Sequence, residues 1–159
     1  MTLMSTTPED RLAQMGIRLP DPPTPFGAYV PAVRTGDLLF LSGMLATSGH
    51  SITDGGFVGK DVDISTGMQA ARTAAINALA VAKQQLGSLD RITRVVRLGV
   101  YLAATSAFTD HAKVADGASE FLRDVLGNHT VSSRLVIGVS SLPLGSPVEL
   151  EVVLEVRDG

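Results

Sequence analysis

The stretch from Val148 to Val156 constrains this chain more than any other. Val148, Leu150, Val152, Leu154 and Val156 recur at every second position, with Glu149, Glu151 and Glu155 between them. That is the two-residue period of an extended strand with one wholly apolar face and one acidic face. Such a strand belongs to an antiparallel or mixed sheet covered on one side, its acidic side turned to water, a partner subunit or a ligand. An apolar strand headed by Arg134 precedes it, joined through a turn rich in Pro, Gly and Ser.

The remaining elements follow from local signals. Thr7-Pro8-Glu9-Asp10 reads as a helix start, with a capping residue, Pro in the first turn and two carboxylates at the positive end of the dipole. The short helix turns Leu12 and Met15 inward and stops at Gly16, after a polar Met1–Thr7 segment expected to fray. Pro20 to Pro25 is an extended connector, because its prolines fit neither a helix nor a central strand. Tyr29 to Met44 reads as a hairpin turning at Thr35-Gly36, and Ser48 to Lys60 as loop. A helix capped by Asp63 carries Met68, Ala71, Ala75, Leu79, Ala82 and Leu86 on one stripe and ends at Gly87. Ile92 to Ala103 is a strand with Val96, Leu98, Val100 and Leu102 inward and Arg97 and Tyr101 opposite. A second long helix runs from about Ser106 to Leu126 with Val114, Ala118, Phe121 and Val125 inward.

The order β-β-α-β-α-β-β behind a short helix predicts an α+β two-layer sandwich, a mixed sheet with two helices on one face. With 159 residues the chain is expected to form one domain, residues 1–26 being an N-terminal extension of short helix and Pro-rich connector. The other sheet face needs a cover, and self-association is the economical one.

Several function classes drop out. There is no cysteine, which removes disulfides, thiolate nucleophiles and cysteine-bound zinc. The net charge of -3 and the absence of a Lys/Arg cluster argue against a nucleic-acid footprint. No apolar run reaches the roughly 20 residues of a membrane span, and no secretory signal opens the chain, so a cytoplasmic protein is expected. His50, His111 and His129 are dispersed, and no metal is expected. Gly59-Lys60 fails as a phosphate loop, since Asp54 and Asp61 occupy the positions that need Gly and Ser or Thr.

Arg134 is the informative charge. At the head of an apolar strand its guanidinium must reach a carboxylate, a carbonyl or a ligand anion. Two readings stand side by side: a structural salt bridge to Glu149 or Glu151, or a grip on a substrate carboxylate while the glutamate handles a proton or a water. Ser42-Gly43 ends a strand and serves either as a donor site or as plain strand-end structure. Tyr29 is either a ligand contact or an edge aromatic covering the core.

The series Gly27-Ala28-Tyr29-Val30, Leu39-Phe40-Leu41-Ser42-Gly43-Met44, Val95 to Leu102, and Ser132 to Glu151 resembles the RidA (YjgF) family over about Thr24 to Val156. It is most similar to the branch ending in L-P-L-G-x-P-V-E-x-E. The resemblance implies a chorismate-mutase-like fold assembled as a homotrimer with clefts between subunits. It also implies hydrolysis of reactive enamines and imines such as 2-aminoacrylate to a 2-oxo acid and ammonia, without a cofactor. By that resemblance Arg134 clamps the substrate carboxylate, Glu149 handles the attacking water, and Tyr29, Ser42 and Gly43 line the pocket. Met44 stands where Gln is commoner in the family, and Val136 where many members have Cys, so the resemblance implies a more apolar pocket. A trimer that only binds a small carboxylate, and an endoribonuclease or translation inhibitor, are the alternatives.

Overall fold

The computed structural model describes residues 6–159, so Met1 to Ser5 of the polar N-terminal stretch lie outside it. Thr7 opens helix α1 (Pro8–Gln14) through a capping box: its hydroxyl accepts from the Asp10 N–H at 3.1 Å, and the Asp10 carboxylate accepts from the Thr7 N–H at 3.0 Å. These bonds hold the Asp10 pKa below the ordinary carboxylate range. Leu12 is buried as its spacing predicts, but Met15 is exposed, because the helix already ends at Gln14 and Met15 only caps it.

The hairpin forms as β1 (Ala32–Thr35) and β2 (Leu38–Leu41), with Gly36 in the left-handed region at φ 53°. Strand β3 (Met44–Leu45) follows directly. The next stretch, expected to be loop, includes a small second sheet of β4 (Thr47–Ser48) and β5 (Ser51–Ile52). Asp63 caps α2 (Ile64–Leu86) through the Thr66 N–H, and Gly87 ends it at φ 81°. Then come β6 (Ile92–Ala103), α3 (His111–Leu126), β7 (Ser133–Val139) and β8 (Val148–Val156). Helix α3 starts five residues later than its periodicity suggests. The intervening chain is a turn instead, with the Phe108 N–H bonded to the Thr105 carbonyl.

The main sheet runs β1-β2-β8-β6-β7, with β3 also paired to β8; β6 and β7 are parallel and the other pairs antiparallel. Helix α2 packs on β8 and β3, α3 on β6 and β7, and the helices pack on each other. This is the α+β two-layer arrangement with a mixed sheet. The five alternating apolar residues of β8 are all buried against the helices. In β6 the expected alternation holds for Leu98, Val100 and Leu102, but Val95 is buried in place of Val96. The register of β6 on β8 shifts between Val95 and Arg97, and such a bulge moves the upstream residues to the opposite phase. Among the described residues no helix is long and apolar enough to cross a membrane.

Two close approaches set the geometry around the core. Asn77 of α2 is buried, and its amide donates to the carbonyls of Leu45 and Thr47 at 3.1 and 3.0 Å, tying the helix to the β3–β4 segment. At the helix crossing, Gly117 of α3 lies against the Met68 backbone, where a Cβ would collide with the carbonyl. Alanine normally stabilises a helix interior by ~1 kcal/mol over glycine. Gly117→Ala is expected to do the reverse, costing ~1–3 kcal/mol through overpacking against backbone that cannot rotate away. Urea unfolding of the pair measures it, and an unchanged or raised midpoint would show that the helices have room to separate.

Candidate active site

The acidic face of β8 is where side chains with chemistry converge. Glu149 lies opposite Tyr101 of β6 on one side and Leu45 of β3 on the other. Gly43, between β2 and β3, sits directly beneath it: a Cβ at Gly43 would collide with Glu149 Oε1. A side chain at Gly43 would therefore displace the carboxylate from its present place. Burial raises the Glu149 pKa above the ordinary carboxylate range, and among the described residues no hydrogen bond or neighbouring cation opposes the shift.

Glu149, Gly43, Ser42 and Tyr29 line one cavity of about 440 Å³. Ser42 is held by its own strand end, its hydroxyl donating to the Val30 carbonyl at 2.6 Å and its N–H to the Pro31 carbonyl at 2.9 Å. The Tyr29 hydroxyl accepts from the Phe26 N–H at 3.0 Å, which folds the connector against the ring. Pro23, Thr24, Pro25 and Phe26 complete that wall, with Leu45, Thr47 and Pro143 across from it on other segments. The prolines were legible as a rigid extended segment, but nothing in their order says which surface they run along.

Arg134 lies elsewhere in the chain. Its Nη1 donates to Asp116 Oδ1 at 2.7 Å and to Ser119 Oγ at 3.0 Å, both on α3, so the side chain is on the helix side of the sheet. Neither Glu149 nor Glu151 is its partner, which corrects the salt bridge the strand pattern suggested. The reason is topological: β6 runs between β7 and β8. Arg134 pairs with Leu98 and Glu149 with Tyr101, three positions apart, so strand spacing and rise put the two Cα atoms roughly 14 Å apart. Among the described residues, Nε and Nη2 of Arg134 make no hydrogen bond.

Glu151 does have partners. It accepts from the Tyr101 hydroxyl at 2.8 Å and faces Arg97 Nε at 3.8 Å. The bond to Glu151 is the main cause that raises the Tyr101 pKa. Among the described residues no group of three or more His, Asp or Glu side chains could hold a metal ion.

A family profile described as "YjgF/chorismate_mutase-like, putative endoribonuclease" matches residues 9–156. Protein TCP17 of Trypanosoma cruzi is 33% identical over 148 residues, 92% of each chain. The crystal structure of Atu1372 from Agrobacterium tumefaciens superposes with a TM-score of 0.87 at 35% identity, covering 95% of this chain and 94% of that one. That of a "putative endoribonuclease" from Shewanella oneidensis gives 0.91 at 33% identity, covering 94% and 99%.

The raised pKa of Glu149 has a stability consequence with a definite sign. The folded state binds this proton more tightly than the unfolded chain, so stability from this group is full below the ordinary carboxylate range and declines as pH rises through the raised value. Glu149→Gln removes the charge. Its melting temperature is expected to match or exceed the wild type at neutral pH, with the difference closing as the medium is acidified. A variant less stable at every pH would mean that the carboxylate is held by favourable bonds.

Proposed function

The chain belongs to the YjgF/chorismate mutase-like family, and from that premise we propose that it is an enamine/imine deaminase, converting 2-aminoacrylate-type intermediates to 2-oxo acids and ammonia. The observation that carries this reading is the half-buried Glu149, whose carboxylate faces a cavity with no protein partner and a raised pKa. A carboxylate of raised pKa is a stronger base than an ordinary one, and its acid form still gives a proton to a departing nitrogen.

The step balances with these groups alone. The enamine first takes a proton at its methylene carbon and gives one up from its nitrogen to solvent, becoming the imine with no net gain of protons. Water adds to the imine carbon as the C=N π pair moves to nitrogen; Glu149 takes a proton from the water and passes it to that nitrogen. The carbinolamine then loses ammonia: its hydroxyl proton passes through Glu149 to the departing nitrogen as the C–N bond breaks and the C=O of the 2-oxo acid forms.

The substrate carboxylate needs a cation, and among the described residues of a single chain none lines the cavity. A homotrimer with clefts between subunits supplies one. On the sheet face away from the helices Val33, Phe40, Leu135 and Ile137 are exposed, an apolar surface that calls for a partner. Strand β7 is a sheet edge, and Arg134 stands on it with Nε and Nη2 unspent. That pair of donors grips a carboxylate side-on, while Asp116 and Ser119 fix the guanidinium through Nη1. A second copy placing its β7 edge at this cavity brings its arginine to a ligand beside Glu149. Endoribonuclease activity, suggested by the names of the family and the Shewanella relative, is less well supported. An apolar cavity with a half-buried carboxylate in a chain of net charge -3 repels phosphates.

Sedimentation equilibrium is expected to give three times 16.6 kDa at micromolar concentration, and a stable monomer would sink the shared-cleft site. Glu149→Gln is expected to lower imine turnover by ~10²-fold or more while affinity for pyruvate persists. Turnover that survives this change, or a wild type with none, favours the carboxylate-binding alternative. Arg134→Lys and Arg134→Ala are expected to be almost equally damaging to turnover. Their melting temperatures should barely move, because the partly exposed Arg134–Asp116 pair contributes only ~0–1 kcal/mol.

A further inference from the structure

The cavity is built for a larger occupant than a three-carbon imine. Its volume of about 440 Å³ falls within the ~300–1,000 Å³ of sites for drug-sized ligands. The polar side chains in its wall are Thr24, Tyr29, Ser42, Thr47 and Glu149, and the Tyr29 and Thr47 hydroxyls already accept from the Phe26 N–H and the Asn77 amide. Ser42 has already given its proton to the Val30 carbonyl. The rest of the wall is apolar, and much of it comes from the connector, Pro23, Pro25 and Phe26.

That wall is fixed in place before any ligand arrives. Helix α1, on its N-terminal side, is tied to the body of the protein: Glu9 accepts from the Leu89 N–H at 3.0 Å, and Arg11 donates to the Val125 carbonyl at 2.9 Å. On the other side the Tyr29 hydroxyl takes the Phe26 N–H. Four prolines between residues 20 and 25 restrict the backbone in between. A wall so constrained loses little freedom when a ligand binds. Yet Phe26 keeps 55% of its surface exposed at the cavity, an uncommon cost for a residue in a preformed wall.

Building on the deaminase reading, we infer that the N-terminal connector forms a side-chain subsite, and that the preferred substrates are 2-imino acids with a branched aliphatic or aromatic side chain. The carboxylate and imine carbon lie at Glu149, and the side chain covers Phe26 and the prolines. Each methylene group so buried favours binding roughly fourfold, so leucine-derived imine should outrun alanine-derived imine clearly.

The test uses the intact protein and imines generated in place from alanine and leucine by an amino-acid oxidase, with ammonia release followed. A kcat/KM at least tenfold higher for the leucine-derived imine is expected, and Phe26→Ala should narrow that ratio severalfold without lowering the melting temperature. Hydrolysis of both imines with no preference, or with alanine preferred, would overturn the subsite and leave the deaminase standing. If neither imine is hydrolysed faster than in buffer, the deaminase reading falls, and calorimetric affinities then decide the subsite. Tighter binding of 4-methyl-2-oxopentanoate than of pyruvate, weakened by Phe26→Ala, upholds it; equal binding overturns it.

Discussion

A slip of β8 by one residue would drive Glu149, Glu151 and Glu155 into the core and turn five buried aliphatic side chains outward. Fully burying each of those side chains is worth ~1.5–3 kcal/mol, and an unpaired buried carboxylate costs several more, so the register is held tightly. The strand also lies at the centre of the sheet. It pairs with β6 along one edge and with β3 and then β2 along the other. The same alternation that builds the core therefore places Glu149 over Gly43 and at the cavity.

Two carboxylates on one face of one strand end up with different chemistry because their neighbours differ. Glu151 takes the Tyr101 hydroxyl and faces Arg97, so its negative charge has partners. Glu149, two residues earlier, has β3 and the loop at Gly43 beside it, and burial meets no compensation. Keeping that carboxyl uncompensated takes support from the surrounding structure. Asn77 holds the Leu45 and Thr47 carbonyls to α2, and the Ser42 hydroxyl ties the end of β2 to Val30. With its backbone groups bonded elsewhere, this segment leaves Glu149 free to meet a ligand.

Much of this was legible in the sequence wherever one periodicity ran undisturbed. The β8 alternation, the α2 stripe from Ala71 to Leu86, the Asp63 cap and the Gly87 stop all appear where the pattern puts them, while Met68, expected on that stripe, is only half-buried and Gly67 is buried beside it. The bulge in β6 was not legible, since Val95 and Val96 are interchangeable to a period-two reading and only the pairing with β8 decides between them. The cavity residues Tyr29, Ser42, Gly43 and Glu149 were marked by the resemblance rather than by spacing, and the structure brings those four together. Of the two readings of Arg134, the salt bridge to β8 fails, because nearness along the chain is not nearness in space. The parallel crossing of β7 onto β6 leaves β8 on the far side. The residues Asp116 and Ser119 that hold it belong to a helix whose exposed face carries no sequence signal for that task.

The position of Arg134 makes physical sense once the sheet edge is considered. An exposed strand edge presents unpaired backbone groups to other chains, and proteins commonly protect it with charge. Arg134 puts such a charge at the start of β7, yet Leu135 and Ile137 of the same strand expose apolar side chains on the opposite face. An edge guarded only by charge would not also carry this surface. The apolar face favours contact with another chain, while the guanidinium, steadied on α3 with two nitrogens unspent, restricts which chain surface can approach. In the proposed trimer the surface around Glu149, whose cavity has no cation in its walls among the described residues, satisfies both demands.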